Sequence, residues 1–183
     1  TRRSSDLRKR RRNQQVLQKF QELYFPKSDI QRMQIPFIQL TDVRFENCDL
    51  SNISFAESSL YRVEFIFCKL LGTNFSETTL NHILLHECNA GYINLAMSKM
   101  NQVRFAHCLF RNGSFNDCRF SSVAFDSCDL VEADFSHAPL RGIDLRTSRI
   151  SSITLNTSDL KGAIITSLQA MDLLPLLGVI IED

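Results

Sequence analysis

Six cysteines, four histidines and one basic run are the residues of this 183-residue chain whose types could do chemistry. Cys48, Cys68, Cys88, Cys108 and Cys128 recur at an interval of 20, with Cys118 between the last two. A metal centre needs thiols that converge on one point, and a disulfide needs two at strict geometry. An equal interval in sequence instead predicts a line of thiols, one above another, buried, reduced and inert. His82, His86, His107 and His137 are expected to project outward on at least three faces, without the spacing of a ligand set. There is no Gly-rich phosphate loop among the six glycines and no Ser, His and Asp grouping that stands out, so the chain reads as no enzyme and as needing no cofactor or metal.

The element that positions the cysteines is a five-residue period. From Leu40 to Ile165 every fifth residue is apolar, giving 26 centres of which 22 are Leu or Phe. Two residues before each centre, from Ile38, Val43 and Cys48 to Ala163, the side chain is small or β-branched, and every cysteine occupies this small position. A period of five advances about 72° per residue, which matches neither an amphipathic helix nor a strand. It predicts a solenoid. Ten of the fourteen phenylalanines are centres, among them Phe45, Phe65, Phe105, Phe115 and Phe125, which assigns them to a stacked core and not to a surface for bases.

The units Cys48-Asp49-Leu50-Ser51-Asn52, Thr73-Asn74-Phe75-Ser76-Glu77, Ala133-Asp134-Phe135-Ser136-His137 and Ser158-Asp159-Leu160-Lys161-Gly162 resemble the repeat of the pentapeptide-repeat proteins. That resemblance implies an all-β solenoid, a right-handed quadrilateral β-helix with four repeats to a coil. Twenty-six repeats then make about 6.5 coils, or roughly 31 Å of rod at ~4.8 Å per rung.

Three segments follow. Residues 38–165 are the β-helix. Residues 1–37 hold the run Arg8-Lys9-Arg10-Arg11-Arg12, and Val16, Leu17, Phe20, Leu23 and Tyr24 fall on one helical face, so a capping helix is expected from about Asp6 to Phe25, with a transition into the first coil after Pro26. Residues 166–183 are expected to form a helix-plus-strand cap, Thr166 or Ser167 starting the helix and Pro175 ending it. In the family this resembles the C-terminal segment through which quinolone-resistance members pair, which implies a homodimer through Leu173, Leu174, Leu176, Leu177, Val179 and Ile180.

Net charge is +1 but uneven: +7 over residues 1–37, −3 over 38–165, and three acids without a base over 166–183. No run of 18 apolar residues suits a transmembrane helix, and the basic start lacks the apolar stretch of a secretory signal, so a cytoplasmic protein is the expectation. Folded four to a coil, the repeats give one face with Glu57, Glu77, Asp117 and Asp134 and no base, beside a face with Arg62, Lys99, Arg119, Arg141 and Lys161. Ile66, Phe67, Leu71, Leu84, Tyr92 and Leu109 are apolar where polar residues are expected, as at a contact patch.

Family members that protect type II topoisomerases from quinolones, or inhibit gyrase, resemble B-form DNA. The acidic face is the corresponding feature here, with no small-molecule substrate. Two further readings stand beside it: a rigid scaffold for another protein partner, and direct contact with nucleic acid or an anionic membrane through residues 2–12.

Overall fold

The computed structural model describes residues 18–21 and 37–178. Over residues 38–165 the chain is a parallel β-solenoid. Strands β1 (Gln18–Gln21), β2 (Gln39–Glu46), β3 (Ser59–Ile66), β4 (Thr79–His86), β5 (Lys99–Ala106) and β6 (Arg119–Asp126) pair in sequence order, all parallel. From β2 to β6 each strand stacks on the next in constant register, Leu60 on Leu80, Val63 on Ile83, Phe65 on Leu85, so the five strands bound four turns. Other sides of the solenoid are joined by single bridges at the same interval, Asp49 to Lys69 to Asn89 to Leu109 to Asp129 to Arg149, and Ser54 through Asp134 to Thr154.

The five-residue period becomes a cross-section because the residue two after each centre turns the chain. Asp42, Asn47, Asn52, Glu57 and Arg62 have φ of +58°, +53°, +60°, +57° and +52°, and the same left-handed corner recurs at almost every repeat. Each eight-residue strand therefore bends once, at Asp42 in β2 and Ser122 in β6, and serves two sides of the coil. Asn and Asp tolerate this conformation better than other non-glycine residues.

Centres and small positions both face inward. Leu60, Leu70, Phe105, Phe110, Phe115 and Phe135 are fully buried, as are Cys108 and Ala138. The five predicted stacking residues lie in this core: Phe45 is parallel to Phe65 with ring centroids 5.1 Å apart, and Phe115 meets Phe105, Phe125 and Phe135 at 6.2, 5.6 and 4.7 Å.

The N-terminal expectation fails where it can be read. Residues 18–21 form a strand, not part of a helix, with Phe20 in register with Phe45 and Gln18 with Val43. The open lower edge of β2 offers a row of backbone donors and acceptors, and pairing them outweighs the helical spacing of the apolar residues. From Phe20 to Phe45 is one repeat more than the step between later coils, so Phe20 keeps the five-residue phase. The remainder of Asp6–Phe25 and the basic run lie outside the described residues.

At the other end α1 (Ser167–Leu173) runs into a 3-10 turn (Leu174–Leu177) that contains Pro175. Thr166 caps α1: its hydroxyl accepts the Gln169 backbone N–H at 3.1 Å, while the Gln169 side chain accepts from the Thr166 N–H at 2.8 Å. The Gln169 amide nitrogen donates to Leu145 O and Ser148 O, both at 2.7 Å, which pins the helix over the last coil. The strand expected after it falls on residues 179–183, outside the described region.

Candidate functional site

Among the described residues the thiols are all free and buried. Their work is structural. Cys68, Cys88 and Cys128 donate to the carbonyls of Phe45, Phe65 and Phe105 in the coil below, at 3.5, 3.3 and 3.5 Å. Thr73, Ser98 and Ser148 make the same bond to Leu50, Phe75 and Phe125 at 2.9, 2.7 and 3.0 Å. The small position thus stitches each coil to the one below, whether by thiol or hydroxyl. Burial pushes the Cys118 and Cys128 thiols up to about 12, and hydrogen bonding to Cys108 and Cys68 together with burial raises Cys88. Hydrogen bonding to Cys88 lowers Cys68 to about 7 and lowers Cys108 as well. No group of three or more metal-ligating side chains occurs among the described residues.

Most of the residues predicted for partner binding are corners. Glu57, Glu77, Asp117, Phe67 and Tyr92 all occupy the left-handed position two after a centre, with φ between +53° and +57°. Glu57, Glu77, Met97, Asp117 and His137 form one column. Its rungs are held by amides of Glu57, Glu77, Met97 and Asp117 donating to Ser76, Ala96, Asn116 and Ser136 carbonyls at 2.8–2.9 Å. Met97 interrupts the acidic line, and His137 Nδ1 stands 3.6 Å from the Asp117 carboxylate. Asp134 does not join it. Its carboxylate accepts the Ser136 N–H at 2.9 Å and hydroxyl at 2.6 Å, closing a local turn. The acidic face is therefore three exposed carboxylates beside Lys99 and Arg119, which share a groove with Asp117.

Phe67 and Tyr92 stand on neighbouring corners. Phe67 meets His86 edge-on at 5.8 Å, His86 meets His107 at 5.8 Å, and His86 Nε2 lies 3.2 Å from Glu87. The spacing of His86 and His107, one coil plus one step, conceals this contact in the sequence. Tyr92 is 65% exposed, and Leu71 and Leu109 are exposed on the side between the two corners. Ile66 is not part of the patch. It is only 6% exposed, because the residue after a centre packs along the wall, as Ala96 and Ala106 also do. Leu84 is half-buried in β4.

Of the residues assigned to pairing, Leu173 is buried, Leu174 and Leu176 are partly buried, and Leu177 is exposed. Leu173 and Leu176 are thus consumed by the cap's own packing against the core, while Val179 and Ile180 lie outside the described residues. The apolar surface at this end comes instead from Leu168, 77% exposed, with Met171 and Leu177. Leu168 and Met171 are legible as one helical face from their spacing of three.

No helix among the described residues is long and apolar enough to cross a membrane. No curated protein sequence matches the chain. Solved structures are similar at low identity. A trypsin-treated variant of QnrB1, a plasmid-mediated fluoroquinolone resistance protein, is 23% identical over 90% of this chain and 80% of its own, with a TM-score of 0.45. A pentapeptide repeat protein of the Arabidopsis thaliana thylakoid lumen is 19% identical, covering 61% and 73%, with a TM-score of 0.31. HetL, a pentapeptide repeat protein involved in heterocyst differentiation regulation from Nostoc sp. strain PCC 7120, is 13% identical, covering 79% and 98%, at 0.23. A family model described as pentapeptide repeat region matches residues 38–108, 58–135 and 98–170. With centres inward, small residues stitching coils and corners at a five-residue interval along that whole matched length, the chain belongs to the pentapeptide-repeat family.

Proposed function

We propose that the chain is a non-catalytic rod that binds another protein through its corner columns. One observation carries this reading: the interior takes both repeated positions, and the side chains left over stand at fixed corners in lines along the rod. Such lines suit recognition of an extended surface and bring no reacting groups together. The right-handed winding over about 6.5 coils that the family resemblance implies gives the rod its expected shape.

The partner for which the family resemblance speaks is a type II topoisomerase such as DNA gyrase, with Glu57, Glu77 and Asp117 standing where DNA would present phosphates. Charge reversal at Glu57 and Glu77 is expected to weaken any protection or inhibition in a gyrase supercoiling assay. An unmodified protein that leaves supercoiling untouched at micromolar concentration sinks this partner and leaves the scaffold reading.

The exposed Leu168, Met171 and Leu177 support a homodimer through the C-terminal end, with a cytoplasmic location in keeping with the reduced thiols. The net charge of +7 over residues 1–37 favours a second reading, contact with nucleic acid or an anionic membrane. Deleting residues 1–12 and finding retention on DNA and on anionic vesicles unchanged would exclude it.

A further inference from the structure

Asp129 is the one charged side chain that is buried among the described residues. It stands just before the centre Leu130, bridged to Leu109 in the coil below and to Arg149 in the coil above. One of its oxygens does what other aspartates at this place do: it accepts the Val131 N–H at 3.3 Å, as Asp49 and Asp134 accept those of Ser51 and Ser136 at 3.1 and 2.9 Å. The other oxygen does more. It accepts from Arg111 Nε at 2.7 Å, which reaches up from the coil below, and from Arg149 Nη1 at 3.3 Å, which reaches down from the coil above. A carboxylate withdrawn from water needs one cation to offset its charge, and this one has two.

The other lysine and arginine ion pairs are balanced or acidic. Arg62 meets Asp42, Lys69 meets Asp49, Arg104 meets Asp126 and Arg146 meets Asp144, while Arg44 lies between Glu46 and Glu64. At Asp129 two guanidiniums share one negative charge, so one positive charge is left over. Arg111 spends only its Nε–H and Arg149 one N–H of Nη1, which leaves most of the donors of each fork unspent, and the two side chains are 53% and 65% exposed. Among the described residues the other acids of this region, Glu132 and Asp172, pair with neither arginine; the Asp172 carboxylate accepts the Ser151 hydroxyl at 3.2 Å.

The same side of the rod is apolar below the arginines. Leu109 is exposed one rung beneath Asp129, and Leu71 is exposed two coils further down. Between Leu71 and Arg111 comes Gly91, where a Cβ would meet Leu71 Cδ1 at 3.2 Å and Arg111 O at 3.7 Å. The Leu71 side chain therefore lies flat across the glycine, and Tyr92 rims the place from the adjoining corner. A shallow apolar floor runs up to the foot of the two guanidiniums.

We propose that Arg111 and Arg149, held by Asp129, bind the phosphoryl group of a phosphorylated segment of a partner protein, whose apolar side chains lie on Leu109 and Leu71. A phosphoryl group on a side chain carries about −1.5 to −2 charge and three acceptor oxygens, enough to take N–H bonds from two forks that arrive from opposite coils. Guanidinium forks suit those oxygens in pairs, as a lysine does not. The shared carboxylate orients both forks before the ligand arrives, which lowers the cost of ordering them. An extended segment advances about 3.3 Å per residue, so residues two and four places from the phosphorylated one reach about 7 and 13 Å along the rod, close to the rungs of Leu109 and Leu71. Free phosphate or nucleic acid would use the arginines and leave the apolar floor idle, which favours a peptide. The site rests on the reading of the chain as a protein-binding rod and does not depend on the topoisomerase as its partner.

The test is fluorescence anisotropy of the full chain with the labelled peptide Leu-Gln-Leu-Gln-phosphoserine-Gln-Leu-Gln-Leu, whose spacing serves either chain direction. Saturable binding is expected, weakened about tenfold or more by Arg111→Gln and also by Arg149→Lys, which keeps a cation beside Asp129 but loses the fork. Leu109→Gln is expected to weaken it severalfold, and circular dichroism of each variant is expected to match the unmodified chain. The proposal is overturned if neither the phosphoserine peptide nor its serine counterpart binds, if both arginine variants fold and bind unchanged, or if inorganic phosphate alone binds as tightly as the peptide. Equal binding of the serine peptide, lost in Leu109→Gln, overturns the phosphoryl site and leaves the protein-binding reading standing. Tighter binding of a 20-base-pair DNA duplex through the same arginines counts against both.

Discussion

The thiol ladder shows how one residue type can look like chemistry and act as structure. Its evenly spaced cysteines read as a line and not a cluster, because their interval is one coil. The bond that a thiol makes to a carbonyl of the coil below is not legible in the sequence, since it depends on the exact lean of the small side chain. The ladder sets a pH dependence. An unfolded cysteine titrates near about 8.5, whereas Cys118 and Cys128 are raised to about 12 in the fold. The native state therefore holds protons that the unfolded chain releases between those values. The stability these thiols contribute is fully present below about 8.5 and is lost as pH rises toward about 12. Urea midpoints are expected to fall from pH 9 to pH 10, a range above the Cys68 thiol, which its hydrogen bond with Cys88 lowers to about 7, and iodoacetamide at pH 8 is expected to label the buried thiols only after denaturation. Phe115, fully buried against four other rings, belongs to the same scale: Phe115→Ala is expected to cost about 3–5 kcal/mol in urea unfolding, and Phe115→Asp to abolish folding of the adjoining coils.

At the level of elements, each coil closes because a left-handed corner follows almost every centre. The centres, small positions and core phenylalanines are legible from the period alone, but the corner is not. Its occupants are Asn and Asp at some places and Phe67, Tyr92, Met97 and Glu77 at others, so no residue type announces it. The N-terminal strand is hidden for a related reason. Helical spacing in Val16 to Tyr24 is a local signal, and the unpaired edge of β2 is a tertiary one that overrides it over residues 18–21. The C-terminal helix is recoverable because its cap is written in sequence: Thr166 and Gln169, three apart, form a reciprocal pair. Thr166→Ala is expected to lower stability by about 1 kcal/mol, and Gln169→Leu by more, since it also strips the Leu145 and Ser148 carbonyls of their donor. Thermal melts followed by circular dichroism check both.

For the whole molecule, charge is sided but not strongly enough to make one face anionic. Three carboxylates in a column with a methionine between them face a neighbouring side that exposes Lys99, Arg119, Arg141 and Lys161, which is why the family resemblance suggests mimicry of DNA more readily than the geometry does. If the C-terminal end pairs two copies, Leu168→Glu with Met171→Glu is expected to halve the mass seen by sedimentation without altering the circular dichroism of the rod. A solenoid coil touches only its neighbours, so a rod ordinarily frays from its two ends. Pro139 has no N–H to give the coil below, where Arg119 gives one to Ser98 O, and among the described residues no backbone bond joins 118–126 to 138–146, so this seam after β6 behaves as a third end placed inside the rod. Amides of 119–126 and 139–146 should exchange with deuterium together, ahead of those in β3 and β4, and the stretch above the seam should come away as one piece before the stretch below it does.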